Sequence, residues 1–178
     1  QSPRKQAPTV AAPPPTATAE YKKLVDPLSE WLACYVWRVC STGVGLPSHL
    51  ARPSSFSQRF PRAPPAHLAA SIRSLLLSTL LQPSAIFLSL WYIMRLPVCI
   101  GSVSFDPELI KEYQFRLELF GEDERPVETH APFRVFLLGC MLANKWLDDH
   151  TFSNKTWQSI SGVPVRFLNR LESSALAI

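Results

Sequence analysis

Glycine is scarce in this chain, with six glycines among 178 residues. Phosphate-binding loops need several glycines at fixed spacing, and neither Gly-x-x-x-x-Gly-Lys nor Gly-x-Gly-x-x-Gly occurs. The Gly-x-Ser-x-Gly turn that presents a nucleophilic serine is missing as well. None of the histidines lies beside a recognisable nucleophile. We therefore expect no catalytic site and no cofactor in this chain.

Cysteine is also sparse, and its spacing fits neither a metal site nor a disulfide framework. The chain contains no Cys-x-x-Cys pair, and no cysteine is flanked by histidine at metal-ligand spacing. No signal peptide is recognisable. We predict buried free thiols in a reducing compartment, the nucleus or the cytoplasm of a cell. The four cysteines are Cys34, Cys40, Cys99 and Cys140.

Three consecutive polar residues, Asp148, Asp149 and His150, are the best candidates for metal ligands. Consecutive residues of a helix point in different directions, and no second cluster in the sequence completes a site. A solvated helix end explains these residues better. We therefore expect no bound metal.

Strand patterns are nearly absent, with residues 98–105 as the only candidate, and no repeat of 20–50 residues is visible. The predicted fold class is therefore all-α. The predicted helices run from Asp26 to about Gly43, over 67–81, 85–96 and 106–120, from Pro132 to Asp149 or His150, after Ser153, and from Pro164 onward.

Proline and basic residues are concentrated at the front of the chain. Eleven of the 17 prolines lie in the first 65 residues, where eight Lys or Arg face three acids. A scattered net charge of +5 without a basic helix face is a weak sign of nucleic-acid binding, so we expect no nucleic-acid partner. The predicted units are a disordered arm (1–19), an N-terminal helix (20–44), a Pro/Ser/Arg-rich loop (45–65) and a folded domain (66–178) with a long connection at 98–130.

The stretch 74–94 carries no charged residue and has the length of a membrane span. A membrane-anchored protein is therefore one alternative. Gln82-Pro83-Ser84 at its midpoint is a natural end and restart for two shorter helices, and several serines supply a partly polar face. We favour two core helices and no membrane partner.

The residues from Phe133 to Met141 are apolar on nearly every side, which is typical of a helix surrounded by other helices. Lys145 follows in the same helix and needs a partner or a route to solvent, because an unpaired buried ammonium is strongly disfavoured. Pairing with Asp148 or Asp149 within the helix is the local solution. In a helix, a base that precedes its acid forms a weaker ion pair than a base that follows it.

These residues resemble a cyclin box, and more narrowly the fungal PHO-type (Pcl-like) cyclins. Residues 142–149, which read Leu-Ala-Asn-Lys-Trp-Leu-Asp-Asp, form the centre of the resemblance. The likeness covers 133–149, 154–163 and 168–172, which match the third, fourth and fifth helices of that fold. It implies a bundle of about five core helices with an additional N-terminal docking helix.

The resemblance implies a regulatory subunit that binds and activates a cyclin-dependent kinase and catalyses nothing itself. In that family the third-helix lysine and the fifth-helix glutamate contact the kinase, and the matching positions are Lys145 and Glu172. A cyclin-fold scaffold or transcription adaptor without a kinase is a further alternative. The complete set of expected kinase-binding residues is Leu142, Lys145, Trp146, Asp148, Asp149 and Glu172.

The first helix of the box departs from the cell-cycle cyclins. Residues 72–76 read Ile-Arg-Ser-Leu-Leu where those cyclins have Met-Arg-Ala-Ile-Leu, a docking patch for substrates. In those cyclins the arginine meets an aspartate of the second helix, but Met94 occupies that place here. We therefore expect Arg73 to find a different acid and do not expect the substrate-docking patch.

Overall fold

The computed structural model describes residues 18–42, 63–100, 110–121, 125–148 and 151–178. These residues form helices and contain no strand, which confirms the all-α prediction for this part of the chain. The predicted strand at 98–105 lies outside the described residues from position 101 onward, and residues 98–100 are not extended into a sheet. The helices are α1 (Ala19–Thr42), α2 (Ala66–Thr79), α3 (Pro83–Arg95), α4 (Ile110–Phe120), α5 (Val127–Leu147), α6 (Asn154–Ser161) and α7 (Val165–Leu176).

The central helix of the bundle is α5, as its apolar composition predicts. Between positions 130 and 144 every residue except Phe133 is buried. The helix contacts α1, α2, α3, α4 and α7, and its most extensive contact is with α3. A helix that packs against five others has no face left for polar residues, which explains the run of apolar side chains.

Gly139 permits the close approach of α3 and α5. A Cβ atom at this position would lie 2.8 Å from the carbonyl oxygen of Ser89 and 3.0 Å from Cγ1 of Ile93. The first contact is with backbone, which cannot rotate away. A glycine is therefore needed here for packing rather than for a turn.

The uncharged stretch 74–94 is divided between α2 and α3. Leu80 ends α2 in the left-handed backbone region with φ 49°, and its N–H bonds to the carbonyl of Leu76. Pro83 then opens α3 at its first position. A single helix over 74–94 is not formed, and across the described ranges no helix is both long and apolar enough to cross a membrane.

Two helix starts predicted from proline are wrong. The N-terminal helix begins at Ala19 rather than at Asp26, so Pro27 lies inside it. Thr18 accepts a hydrogen bond from the Tyr21 N–H at 3.2 Å and serves the role expected of Asp26. Position 19, the end of the predicted arm, is already helical.

The central helix likewise begins at Val127 rather than at Pro132, which lies within it. Thr129 bonds back to the carbonyl of Pro126 through both its N–H, at 2.9 Å, and its hydroxyl, at 2.7 Å. These bonds set the helix start five residues earlier. The helix ends at Leu147, before the predicted Asp149 or His150, which lie outside the described residues.

The helix α4 lies within the long connection and packs on α7 and α5. Its buried residues are Phe115 and Leu119. Four apolar residues at helical spacing predicted this helix: Ile110, Tyr113 and Leu117 are exposed, and Phe120 packs partly buried against the core. The spacing therefore indicated the helix correctly but not the face that it buries.

Candidate functional site

The last turn of α5 leaves the core and reaches the surface. Leu142 is buried, and its side chain supports this surface from beneath rather than forming part of it. Trp146 is 76% exposed and Leu147 is 46% exposed. Large apolar side chains at the solvent boundary are the groups most often used as anchors in protein interfaces.

A hydrogen-bonded network joins this turn to α6 and α7. Lys145 Nζ lies 2.5 Å from Oε1 of Glu172 and 3.0 Å from Oδ1 of Asn154. The Asn154 amide donates to the second carboxylate oxygen of Glu172 at 2.8 Å and lies 2.8 Å from Oδ1 of Asn169. The lysine and the glutamate, 27 positions apart in sequence, thus form one polar cluster across three helices.

The local alternative for Lys145, pairing with Asp148, is not formed. Asp148 instead accepts a hydrogen bond from the Asn144 amide at 2.5 Å. Asn144 also accepts from the Phe152 N–H at 3.0 Å through its side-chain oxygen. This buried asparagine thereby holds both ends of the loop after α5. Asp149, another expected binding residue, lies outside the described residues.

The helix α6 is held in place by its cap and one buried indole. Ser153 accepts the Thr156 N–H at 3.2 Å, as its position before Asn154 predicts. Trp157 is fully buried, and its ring packs edge-on against Phe152 with centroids 5.5 Å apart. These contacts fix Asn154, the first residue of α6, between the lysine and the glutamate.

The three asparagines of this surface, Asn144, Asn154 and Asn169, were not among the expected site residues. Their roles depend on which helices lie side by side, and an asparagine has no spacing pattern that reveals a bridging role. The predicted cap at Ser153 was the one signal that pointed toward Asn154.

A cavity of about 410 Å³ lies between the end of α5 and the turn that joins α2 to α3. Leu80 and Gln82 line it on one side, and Leu147, Asp148 and Phe152 line it on the other. The exposed turn of α5 therefore adjoins a concave surface, which gives a partner both a protruding side chain and a groove to occupy.

The predicted different acid for Arg73 is Asp26. Arg73 Nε lies 2.5 Å from Oδ1 of Asp26, and the ion pair joins α2 to the N-terminal helix α1. Both side chains are about half exposed. The arginine at the place of the substrate-docking patch is thus used to attach α1.

The cysteines agree with their prediction in part. All four are free, Cys40 and Cys140 are buried, and Cys99 is half-buried, but Cys34 is exposed on α1. Burial raises the pKa of the Cys140 thiol to about 12, and a hydrogen bond between this thiol and Ser89 opposes the shift. Burial likewise raises the pKa of Cys40, with a smaller contribution from Cys99. The two buried thiols therefore stay protonated at neutral pH.

In the part of the chain that the structure describes, no three His, Cys, Asp or Glu side chains are grouped to hold a metal ion. The surface around Lys145 offers hydrogen bonds, one ion pair and exposed apolar area. Its chemistry is that of a binding surface.

Comparison with known proteins agrees with this geometry. The family model described as Cyclin matches residues 84–178, which include α3 and α5 as well as both Lys145 and Glu172. A stretch of 51 residues is 39% identical to PHO85 cyclin-5 of Saccharomyces cerevisiae, covering 29% of this chain and 22% of that protein. The match thus spans about a fifth of the relative's length. No solved structure matches the chain significantly. Because the family model covers more than half of the sequence, the chain belongs to the cyclin family.

Proposed function

We propose that this chain is the regulatory subunit of a cyclin-dependent kinase of the PHO type and that it activates the kinase by binding it. Membership of the cyclin family supports a regulatory role, and the similarity to PHO85 cyclin-5 supports a kinase of the PHO85 type. We further propose that it acts in the nucleus or cytoplasm, where free thiols persist.

The observation that carries the proposal is the Lys145–Glu172 pair at the end of α5, in the same helical turn as the exposed Trp146. The ammonium of Lys145 has three N–H donors, and its contacts in the described structure are with Asn154 and Glu172. One donor therefore remains for a carbonyl oxygen of a partner. Trp146 lies in the same turn of α5 and is 76% exposed, so this end of the helix also offers apolar area to a partner.

The network also holds these groups in a defined geometry before a partner arrives. The side chain of Glu172 is 13% exposed and that of Lys145 is 33% exposed, so both are partly withdrawn from water. Side chains that are already ordered lose less conformational freedom on binding. We therefore propose Asn154 as a positioning residue for the interface, although it was not among the expected contacts.

The proposed mechanism is a shift of the kinase population toward its active state. Docking against the end of α5 and against α7 would press a helix of the kinase inward, so that its glutamate pairs with the ATP-positioning lysine. The cyclin contributes differential affinity for that state and no catalytic group. Asp148 and Asp149 remain proposed contacts of the same interface, and the buried Leu142 is proposed to support it from the core.

The test measures how tightly purified PHO85-type kinase binds two variants, each of which lacks one ion pair that involves α7. The double variant Lys145→Ala/Glu172→Ala should bind the kinase about tenfold or more weakly and stimulate its activity correspondingly less, because it removes central polar contacts. Glu118→Ala/Arg170→Ala is the matched control. That ion pair, with its atoms 3.2 Å apart, joins α4 to α7 and includes neither residue of the proposed kinase contact. Far-UV circular dichroism should show both variants folded.

Binding that is equal for the wild type, the double variant and the control would contradict the proposal. Equal losses of kinase affinity in the two double variants would also contradict it, because a specific interface should be weakened only by the variant that changes it. Isothermal titration calorimetry gives the dissociation constants, and phosphorylation of a protein substrate gives the stimulation.

A further inference from the structure

A second cavity, of about 320 Å³, lies at the opposite end of α5 from Lys145, where three helices begin. His67 in the first turn of α2 lines it on one side. Arg125 and Thr129, at the start of α5, form a second wall. Pro164, directly before α7, forms a third. The proposed kinase surface makes no use of this cavity.

The lining of this cavity is basic. It includes the guanidinium groups of Arg125 and Arg134 and the imidazoles of His67 and His130, and none of the lining residues that the structure describes carries a carboxylate. Arg134 and His130 are both buried. The two guanidinium groups carry permanent positive charge, so this concave space favours an anion.

The three helices that begin here share a second property. Each of α2, α5 and α7 has a proline at its N-cap, at Pro65, Pro126 and Pro164, and none of these caps makes a side-chain hydrogen bond. By contrast, α6 is capped by the Ser153 hydroxyl. First-turn N–H groups and the positive end of the helix dipole both favour negative charge at such ends.

The walls of the cavity are fixed to one another. His67 Nε2 donates to the carbonyl oxygen of Thr129 at 2.7 Å, which ties α2 to α5. Arg134 donates to the carbonyl of Leu119 at 3.3 Å, and its guanidinium lies 4.3 Å from the ring centroid of Phe167. A guanidinium presents its N–H donors in a planar fork that matches the oxygens of a phosphate group.

From this arrangement we infer that the cavity between the starts of α2, α5 and α7 is a binding site for a phosphate group. The space is several times larger than inorganic phosphate, so it accommodates a phosphate monoester together with the first atoms of the group that bears it. Arginine, imidazole and helix N-termini are the groups that proteins use to hold phosphate oxygens. The inference does not depend on kinase binding.

The test uses the full chain without a kinase. Isothermal titration calorimetry at constant ionic strength should show saturable binding of inorganic phosphate or of O-phosphoserine, and serine should not bind. Tighter binding of O-phosphoserine would identify a monoester as the ligand, and tighter binding of inorganic phosphate would identify the free ion. The double variant His67→Gln/Arg125→Gln should bind the tighter probe about tenfold more weakly, because it removes the Arg125 guanidinium and the imidazole that ties α2 to α5 at the cavity wall.

Two controls make the result decisive. Arg170→Gln removes an exposed arginine outside the cavity and should leave the affinity unchanged. The variant Glu122→Gln/Asp123→Asn/Glu124→Gln neutralises the acids directly before Arg125 and should bind at least as tightly as the wild type. Absence of saturable binding would overturn the inference. Equal affinity of the wild type and the His67/Arg125 variant, or loss of binding in the acid-neutralised variant, would overturn it too.

Discussion

The helix α5 has two parts with opposite environments. Between positions 130 and 144 it is buried among five other helices, whereas from Lys145 to Leu147 it is exposed, with Trp146 the most exposed of its large apolar side chains. The first part stabilises the fold. The second part contributes exposed side chains to a surface that the stability of the fold does not require. A single helix thus combines the core of the bundle with the proposed interface, and substitutions in its two parts should have separable consequences.

The difference between the two parts is largest for aromatic side chains. Phe136 is fully buried in the first part, and replacing it with alanine should destabilise the chain by about 3–5 kcal/mol, because a cavity remains. Trp146→Ala is the matched control, removing an exposed ring from the same helix, and should change stability by about 0.5 kcal/mol or less. Urea unfolding followed by circular dichroism measures both. Similar losses of unfolding free energy in the two variants would show that the division of α5 into a buried and an exposed part is wrong.

The buried part of α5 also predicts a dependence of stability on alkaline pH. Burial raises the Cys140 pKa from 9.0 to about 12, so the unfolded chain ionises this thiol at lower pH than the folded chain does. The contribution of Cys140 is fully present below about pH 9 and is lost as the pH rises toward 12, by about 1.4 kcal/mol for each pH unit. Cys140→Val should flatten the profile of unfolding free energy against pH, whereas the exposed Cys34→Ser should not. Parallel profiles for the wild type and Cys140→Val would contradict the assignment of this pH dependence to Cys140.

The smallest effect concerns the two ion pairs that join neighbouring helices. Arg73–Asp26 is the more exposed, and a double-mutant cycle should give a coupling energy of about 0.2–1 kcal/mol. Lys145–Glu172 is less exposed and shares its hydrogen bonds with Asn154, so its coupling energy should be the larger of the two. Thermal unfolding of the single and double alanine variants provides both values. A larger coupling energy for Arg73–Asp26 would reverse the ranking.

The fold could be predicted from the sequence where apolar spacing or a cap determines it. The apolar run from Phe133 to Met141 predicted the central helix, and Ser153 predicted the start of α6. Proline misled the predictions at positions 27 and 132, because both prolines lie inside a helix, where each removes one backbone N–H donor, and not at its first position. The hydrogen bond that Thr18 accepts at the start of α1 and the bonds of Thr129 to Pro126 at the start of α5 involve a common residue type with no distinctive sequence pattern.

The candidate site could be predicted only through resemblance. Local physics established that Lys145 needed a partner and left pairing with Asp148 as one solution. Glu172 is 27 positions away, and the contact depends on how α7 packs beside α5. The same limit applies to Asp26 as the partner of Arg73, since that pair depends on the docking of α1 on α2. Contacts between distant helices follow from tertiary packing, which apolar spacing does not specify.

The most direct test of the proposed interface is photo-crosslinking to a PHO85-type kinase. A benzoyl-phenylalanine placed at Trp146 replaces one exposed aromatic group with another, and the same probe at Phe87, 72% exposed on α3, is the control. If the end of α5 binds the kinase, the probe at position 146 should crosslink to it and the probe at position 87 should not. A complex that forms but crosslinks only from position 87 would contradict the proposed interface.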